Sequence, residues 1–302
     1  MRDLKGRVAF VTGGGSGIGL GIVEGLLDRG VAVMVADLRE DHLAEASERL
    51  AGRGKVSTIA VDVADRDAMA AAAKHTLEVY GRCDILVNNA GVGINPTVDE
   101  VAYADWDWVL AVNLGGVING VMSFLPEMLR RGEGHIVTTS SMAGLLPTAN
   151  NFIYATSKYA VRGMSDSLRL TLAPRGVGVS VLYPGLTRSR ILVSEENRHE
   201  RFLVDRPTSA AAGGPVVPGD EAGMDPRDVG EAVVEGIILN KGYILSHAEF
   251  GDELAAHFAS ILAENPAPQE IDPGRLFLEN SRRAETEAAM RAVQRITAGE
   301  LP

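Results

Sequence analysis

Seven short, continuously apolar runs recur along the chain, each followed by a segment with helical spacing, and this alternation leaves few folds open. The runs are RVAFVTG (7–13), VAVMVAD (31–37), KVSTIAVD (55–62), DILVNNAG (84–91), GHIVTTSS (134–141), GVGVSVLYPG (176–185) and GYILS (242–246). Strands that are apolar at successive rather than alternate positions are covered on both faces, as in parallel sheets. The segments between them, such as GIGLGIVEGLLDRG and REDHLAEASERLAG, carry apolar residues at helical spacing and end near glycine. The expectation is α/β: one doubly wound domain spanning 1–302, with a mostly parallel seven-stranded sheet and helices on both faces.

Two stretches depart from the alternation. Residues 186–225 leave the sixth strand as a long segment, polar at first and then rich in Ala, Gly and Pro. A loop of that length is commonly functional, and it starts where a ligand would sit, so it is expected to act as a substrate lid. Residues 248–302 form an extension, with a helix near 248–264 and a charged helical arm near 275–298 that packs on the body or on a partner subunit.

Where the first strand hands over to the first helix the sequence reads TGGGSGIG (12–19). Gly13, Gly15 and Gly17 permit a tight turn and close backbone approach, and Gly19 permits helix and sheet to meet. Ser16 and Ile18 complete a turn whose helix N-terminus faces a pyrophosphate. Asp37 ends the second strand, the place of a ribose-binding acid that would repel a 2′-phosphate, so NAD is favoured over NADP. Further along, NNFIYATSKYA (150–160) sets Tyr154 and Lys158 four apart on a helix, hence on one face. A lysine there is expected to lower the pKa of the phenol and tune it as a proton shuttle.

TGGGSGIG, the Asp62-Val63 pair, NNAG at 88–91, Asn113, Ser141, YATSK at 154–158 and Pro184-Gly185 together resemble the short-chain dehydrogenase/reductase family, in order and in spacing, over about residues 5–245. The resemblance implies an oxidoreductase. Tyr154 would be the general acid/base, Lys158 would hold the nicotinamide ribose, Ser141 would hold the substrate oxygen, and Asn113 would hold a relay water. Ser140 lies one residue out of step, which on a strand points it the other way. Asp62 and Val63 would contact adenine, and Asn89, Ala90 and Gly91 would line the cofactor cleft, with Asn88 bracing the sheet. After Pro184-Gly185 the chain departs from the family pattern, and either Thr187 or Ser189 would meet the nicotinamide carboxamide. Leu186, Ile191 and Leu192 are the candidate substrate contacts.

More narrowly, YADWDWVLAVNLGGVINGVMSFLPEM, the SRI at 189–191 with NRHERF following, and MDPRDVGEAVVEGIILNKGYILSHAEF are similar to bacterial Cα-dehydrogenases acting on lignin-derived β-aryl ethers. That likeness implies NAD-dependent oxidation of a bulky aryl-bearing secondary alcohol to its ketone. A hydroxysteroid dehydrogenase or other ketone reductase is the alternative enzyme. An NAD-sensing regulator is the alternative without turnover, although it would have no need of all four catalytic side chains. The helices near 103–131 and 152–173 are the pair that such enzymes use between subunits, so a homodimer or homotetramer is expected.

Composition narrows the partners. A net charge of −11 without a basic stripe argues against nucleic acid. The apolar runs are short and interrupted against the roughly 18 residues of a membrane span, and only Val8 to Val11 are continuously apolar near the N-terminus, too few for a signal core. A cytoplasmic protein with a small-molecule substrate is expected. Cys83 is the single cysteine and the six histidines are scattered, so neither a disulfide nor a metal site is expected. Of the remaining conspicuous side chains, Trp106 reads as core and Trp108 as partly exposed, Met122, Phe124 and Met128 as helix packing, and His247 and His257 as structural.

Overall fold

In a computed structural model, describing residues 1–94, 96–149, 151–204 and 222–300, the seven runs form β1 (Val8–Thr12), β2 (Ala32–Asp37), β3 (Val56–Ala60), β4 (Ile85–Asn88), β5 (Gly134–Thr139), β6 (Val177–Tyr183) and β7 (Tyr243–Leu245). They make one sheet in the order β3-β2-β1-β4-β5-β6-β7, every neighbouring pair parallel. The order reverses between β1 and β4, and a crevice opens beyond the carboxyl ends of those two strands, where open α/β sheets bind ligands.

Both faces of the five central strands are covered, which is why those strands are buried along almost their whole length. Ala9, Val11, Val33, Val35, Ile85 and Val87 face a core shared with α1 (Gly17–Asp28), α2 (Glu40–Leu50) and α7 (Pro226–Ile238). Their neighbours Phe10, Met34 and Leu86 point the opposite way, toward α3 (Arg66–Tyr80), α5 (Gly116–Arg131) and α6 (Phe152–Leu172). Helices α1 and α7 cross in backbone contact: a Cβ on Gly21 would lie 2.0 Å from the Pro226 carbonyl, and one on Gly230 would lie 2.2 Å from the Gly21 carbonyl. Around this crossing Glu24, buried, receives Arg49 and Arg53 at 2.8 and 2.7 Å, tying α1 to the end of α2.

The helix anticipated over 103–131 is continuous but not regular. It runs as α4 (Tyr103–Leu110), a π turn (Ala111–Gly115) and α5. By length and composition it is also apolar enough to cross a membrane, contrary to the expectation of only short apolar runs, but half of its apolar stretch is buried within the protein. The tryptophans are inverted from expectation. Trp108 is buried, because a side chain from far along the chain covers it, while Trp106 is half-buried against Phe152. Phe124 and Met128 pack in the core as expected, but Met122 is exposed, since it lies on the face of α5 turned from the sheet.

In the extension, α8 (Gly251–Ala263) buries none of its residues, and α9 (Pro273–Ala298) docks on the body through Ala292, Val293 and Ile296, against Ala173, and through Thr297, whose Oγ1 accepts from Asn240 Nδ2 at 3.1 Å. Of the 186–225 segment expected to act as a lid, residues 205–221 lie outside the described residues.

Candidate active site

The glycine-rich turn is held open by backbone conformation and by lack of space. Gly13 and Gly17 have φ of 60° and 49°, a region that other residues rarely enter. A Cβ on Gly13 would stand 2.9 Å from Ala90 Cα, and one on Gly19 would stand 2.0 Å from the Gly13 carbonyl. Gly13, Ser16, Gly17 and Ile18 line the cleft, and Ser16 makes no side-chain cap, so the N–H groups at the start of α1 are left for a ligand. Asp37 closes one end. Its Oδ2 accepts from Gly15 N at 3.0 Å, and its Oδ1 accepts from Arg39 N at 3.2 Å and faces His42 Nδ1 at 3.4 Å. The Arg39 guanidinium is turned onto Asp41, in a two-pronged pair at 2.9 and 2.6 Å. This cradle, which a Cβ would fill, and a carboxylate at the end of β2 fit a dinucleotide with a free ribose.

Asp62 and Val63 form the next stretch of wall. Asp62 accepts from Ala64 N at 2.9 Å, and the Val63 carbonyl accepts from Asn119 Nδ2 at 2.8 Å. Asn89 and Ala90 both donate their N–H to Thr12 Oγ1, at 2.9 and 3.0 Å, which fixes the end of β4 against the end of β1. Gly91 is flanked by Asn113 Oδ1 and Lys158 Nζ. The Asn88 amide is buried at the β4–α5 contact, where it abuts Gly120.

Tyr154 and Lys158 rise from α6 on one face. Ser141 caps the turn after β5, its Oγ accepting from Ala143 N at 3.1 Å. Burial pushes the Tyr154 phenol up from its ordinary value, and a hydrogen bond with Ser141 draws it back. The expected lowering by lysine is therefore not the dominant effect. The Lys158 ammonium lies over the ring face, 5.4 Å from its centroid, and donates to the Thr139 carbonyl at 3.0 Å instead of lying beside the hydroxyl. Burial pushes that ammonium down to about 8. Ser140 points the other way, its Oγ donating to the Lys158 carbonyl at 2.9 Å. Asn113, fully buried in the π turn, spends its whole amide on structure: its Oδ1 accepts from Val92 N at 2.8 Å, and its Nδ2 donates to Val92 O at 2.9 Å and Ser157 Oγ at 3.1 Å.

Pro184 lines the cleft and Gly185 sits in a cradle, where a Cβ would meet Phe250 at 2.6 Å and His247 at 2.8 Å. His247 clasps this turn from the segment after β7. Its Nδ1 accepts from Gly185 N at 3.1 Å, which leaves Nε2–H to donate to Leu186 O at 3.1 Å. Of the two candidate hydroxyls, Ser189 lines the cleft; Thr187 is buried in a bridge to Met224 with its Oγ1 donating to the Gly185 carbonyl. Among the candidate substrate contacts Ile191 lines the cleft and packs on Gly93. Leu186 and Leu192 instead stand on the surface, the latter 82% exposed, because the chain turns through a 3-10 helix (Arg190–Asn197) that presents Ile191 and Ser194 inward.

A protein-family model for short chain dehydrogenases matches residues 7–200. The chain belongs to that family. It is 34% identical over 280 residues to a C alpha-dehydrogenase of Sphingobium sp., with 90% of each chain covered. It is similar, at 36% identity and a TM-score of 0.82, to the structure of a putative short-chain dehydrogenase from Novosphingobium aromaticivorans, covering 97% of this chain and all of the other. It is also similar, at 31% identity and a TM-score of 0.81, to a short chain dehydrogenase/reductase from Burkholderia phymatum in complex with NAD, covering 90% of this chain and all of the other.

Three further side chains of this short-chain dehydrogenase shape the site with little signal in the sequence pattern, while His247 is structural, as expected. Thr12 follows a strand and looks like strand; its position next to the glycine turn was the available signal. His42 meets Asp37 across the short β2–α2 turn, and Arg198 against α4 depends on a contact between distant segments, which leaves no local pattern.

Proposed function

We propose that the protein oxidises a bulky, aryl-bearing secondary alcohol to its ketone with NAD, in the cytoplasm and as a homodimer or homotetramer. The observation that carries this reading is that Tyr154 and Lys158, with Ser141 bonded to the phenol, share one cleft with Asp37. The aryl substrate is supported by the identity to a C alpha-dehydrogenase over nine-tenths of both chains. For subunit pairing, Ile118 and Met122 on α5 and Phe152 and Tyr159 on α6 are exposed on the outer helices, and isologous packing is the commonest use of such a face.

Oxidising a secondary alcohol removes a proton from oxygen and a hydride from carbon. NAD, when bound, supplies the hydride acceptor, and this chain's residues manage the proton. Asp37 would hold the adenosine ribose, the Gly13–Gly19 turn the pyrophosphate, Asp62 and Val63 the adenine, Lys158 the second ribose and Ser189 the carboxamide. Tyr154 takes the hydroxyl proton as general base, a role that typically supplies about 10²–10⁴-fold. Ser141, its own angle fixed by Ala143 N–H, holds the substrate oxygen against Tyr154. Lys158 would lend positive charge that favours the phenolate, the form able to take that proton. Asn113 would hold the relay water, its side-chain N–H groups being given to Val92 O and Ser157 Oγ.

The test is to add NAD and a panel of alcohols and follow absorbance of the reduced dinucleotide. Fast turnover of a benzylic β-aryl ether alcohol, slow turnover of 2-propanol, and loss of turnover in Tyr154→Phe with dinucleotide binding kept would support the reading. A hydroxysteroid turned over faster than the aryl alcohol would shift the substrate class, and no turnover of any alcohol would return the chain to a sensing role.

A further inference from the structure

Residues 190–202 cross the cleft in two 3-10 turns (Arg190–Asn197 and Glu200–Phe202), a weakly self-supporting conformation that needs tethers. The tethers are unequal. On the α2 side Arg190 pairs with Glu45 at 2.8 Å, and above the adenine wall Arg201 approaches Asp62 at 3.8 Å, but both arginines are exposed and such pairs hold little. Gly93 N donates to Ser194 Oγ at 3.2 Å in the middle. On the α4 side Arg198 is buried. Its Nη1 meets Asp105 Oδ1 at 2.9 Å and donates to the Phe202 carbonyl at 3.2 Å. Its guanidinium carbon lies 4.3 Å from the Trp108 ring centroid, and the outer edge of its fork takes Glu195 at 2.7 and 2.8 Å. The side chains of Arg198 and Asp105 are 4% and 0% exposed, and separating such a pair leaves a buried charge uncompensated. The platform under it is fixed, since Asp105 Oδ2 also accepts from Ala102 N at 2.9 Å at the start of α4.

What Arg198 holds in place is one wall of the cofactor cleft. Asn197, His199 and Phe202, on either side of it in sequence, line the cavity along with Asp62 and Trp108. Resting on the dinucleotide reading above, we propose that Arg198 is a positioning residue: a latch to Asp105 and Trp108 that keeps residues 190–202 across the dinucleotide and sets how fast the reduced dinucleotide leaves. A molecule lying between Asp37 and Lys158 is bracketed by this strap from α2 to α4, and it departs when the strap lifts from its strongest tether. The latch thus acts on residence of the cofactor and leaves the proton-handling residues in place.

The test uses the full-length protein and NADH fluorescence, with release followed by stopped flow. Arg198→Met removes the charge and the fork while keeping much of the volume. Arg198→Met with Asp105→Asn removes both charges, so that no bare carboxylate is buried, and the asparagine oxygen can still accept from Ala102 N–H. Both should release NADH about ten-fold faster and raise the KM for NAD by a similar factor, with kcat for the alcohol equal to or above that of the parent. Arg198→Lys, which keeps the charge but not the fork or the stack, should fall between. Glu195→Gln, which cuts only the exposed edge, should behave as the parent. A folded double variant with release and KM within about two-fold of the parent would overturn the latch. Wild-type protein that binds no dinucleotide would instead overturn the functional reading on which the latch rests.

Discussion

Lys158 is needed by the chemistry and costly to the fold, and replacing it with methionine separates the two. The ammonium is buried, and its pKa is displaced from the ordinary 10.5 to about 8 by burial, a displacement equivalent to about 3 kcal/mol against the charged form. Its recorded compensation is one hydrogen bond to the Thr139 carbonyl at 3.0 Å and contact with the Tyr154 ring, together worth about 1–2 kcal/mol. Lys158→Met keeps the volume and removes the charge, so the variant should be more stable than the parent by about 1–2 kcal/mol at pH 7. The difference should depend on pH. Below the folded pKa of about 8 the parent carries the whole burden. From there to the ordinary 10.5 the unfolded lysine keeps a proton that the folded one has lost, so the parent gains stability and the gap closes. Urea unfolding at pH 7 and at pH 10, without dinucleotide, measures both differences. A variant less stable than the parent at pH 7, or a gap that is unchanged between the two pH values, would refute this account of the lysine's burial.

Asp37→Ser should weaken NAD and admit NADP, with a further gain when Asp41→Asn is added, because Asp41 holds the Arg39 guanidinium in a two-pronged pair away from the ribose site; wild-type protein preferring NADP would contradict it. Gly230→Ala should cost at least about 2 kcal/mol in urea unfolding, since its Cβ would meet a backbone carbonyl of α1 at 2.2 Å that has no room to retreat; a loss under about 0.5 kcal/mol would mean that the two helices can separate cheaply. Because burial raises the Tyr154 phenol, it is protonated at neutral pH and must lose its proton to act as a base, so alcohol oxidation should speed up as pH rises above neutral and ketone reduction should slow. Rates of both directions between pH 6 and about 9 check this, and oxidation that falls with pH would contradict it.

The sheet was legible because its five central strands are covered on both faces, and the resulting apolar runs are visible without knowing what covers them. The catalytic set was legible for a different reason: Tyr154 and Lys158 are related by helix spacing, and Ser140 and Ser141 are told apart by strand alternation. Contacts that decide side-chain direction from outside an element were not legible. Trp106 and Trp108 are two apart on one helix, and it is Val92, Ile94 and Ile153, with Arg198 arriving from far downstream, that make Trp108 the buried one. Leu192 reads as an apolar substrate contact, yet a 3-10 turn rotates it outward. Thr187 and Ser189 were equivalent until Met224 paired with the first. The direction of the Tyr154 shift is set by burial of the phenol, and helix spacing does not fix that.

The π turn at Ala111–Gly115 makes α4 and α5 two helices out of phase. One surplus residue in a helical path advances everything beyond it by about 100°. Ahead of it, Trp108 and Val109 look toward Val92 and Ile153; behind it, Val121, Phe124 and Met128 look toward the sheet. No single helical wheel drawn through all 29 residues can show both faces. A one-residue deletion here would restore a regular helix and put either the tryptophan or the phenylalanine into water, with Asn113 pulled off Val92. Length at this point is therefore as constrained as residue identity, and an evolving relative could change it only through a compensating insertion nearby.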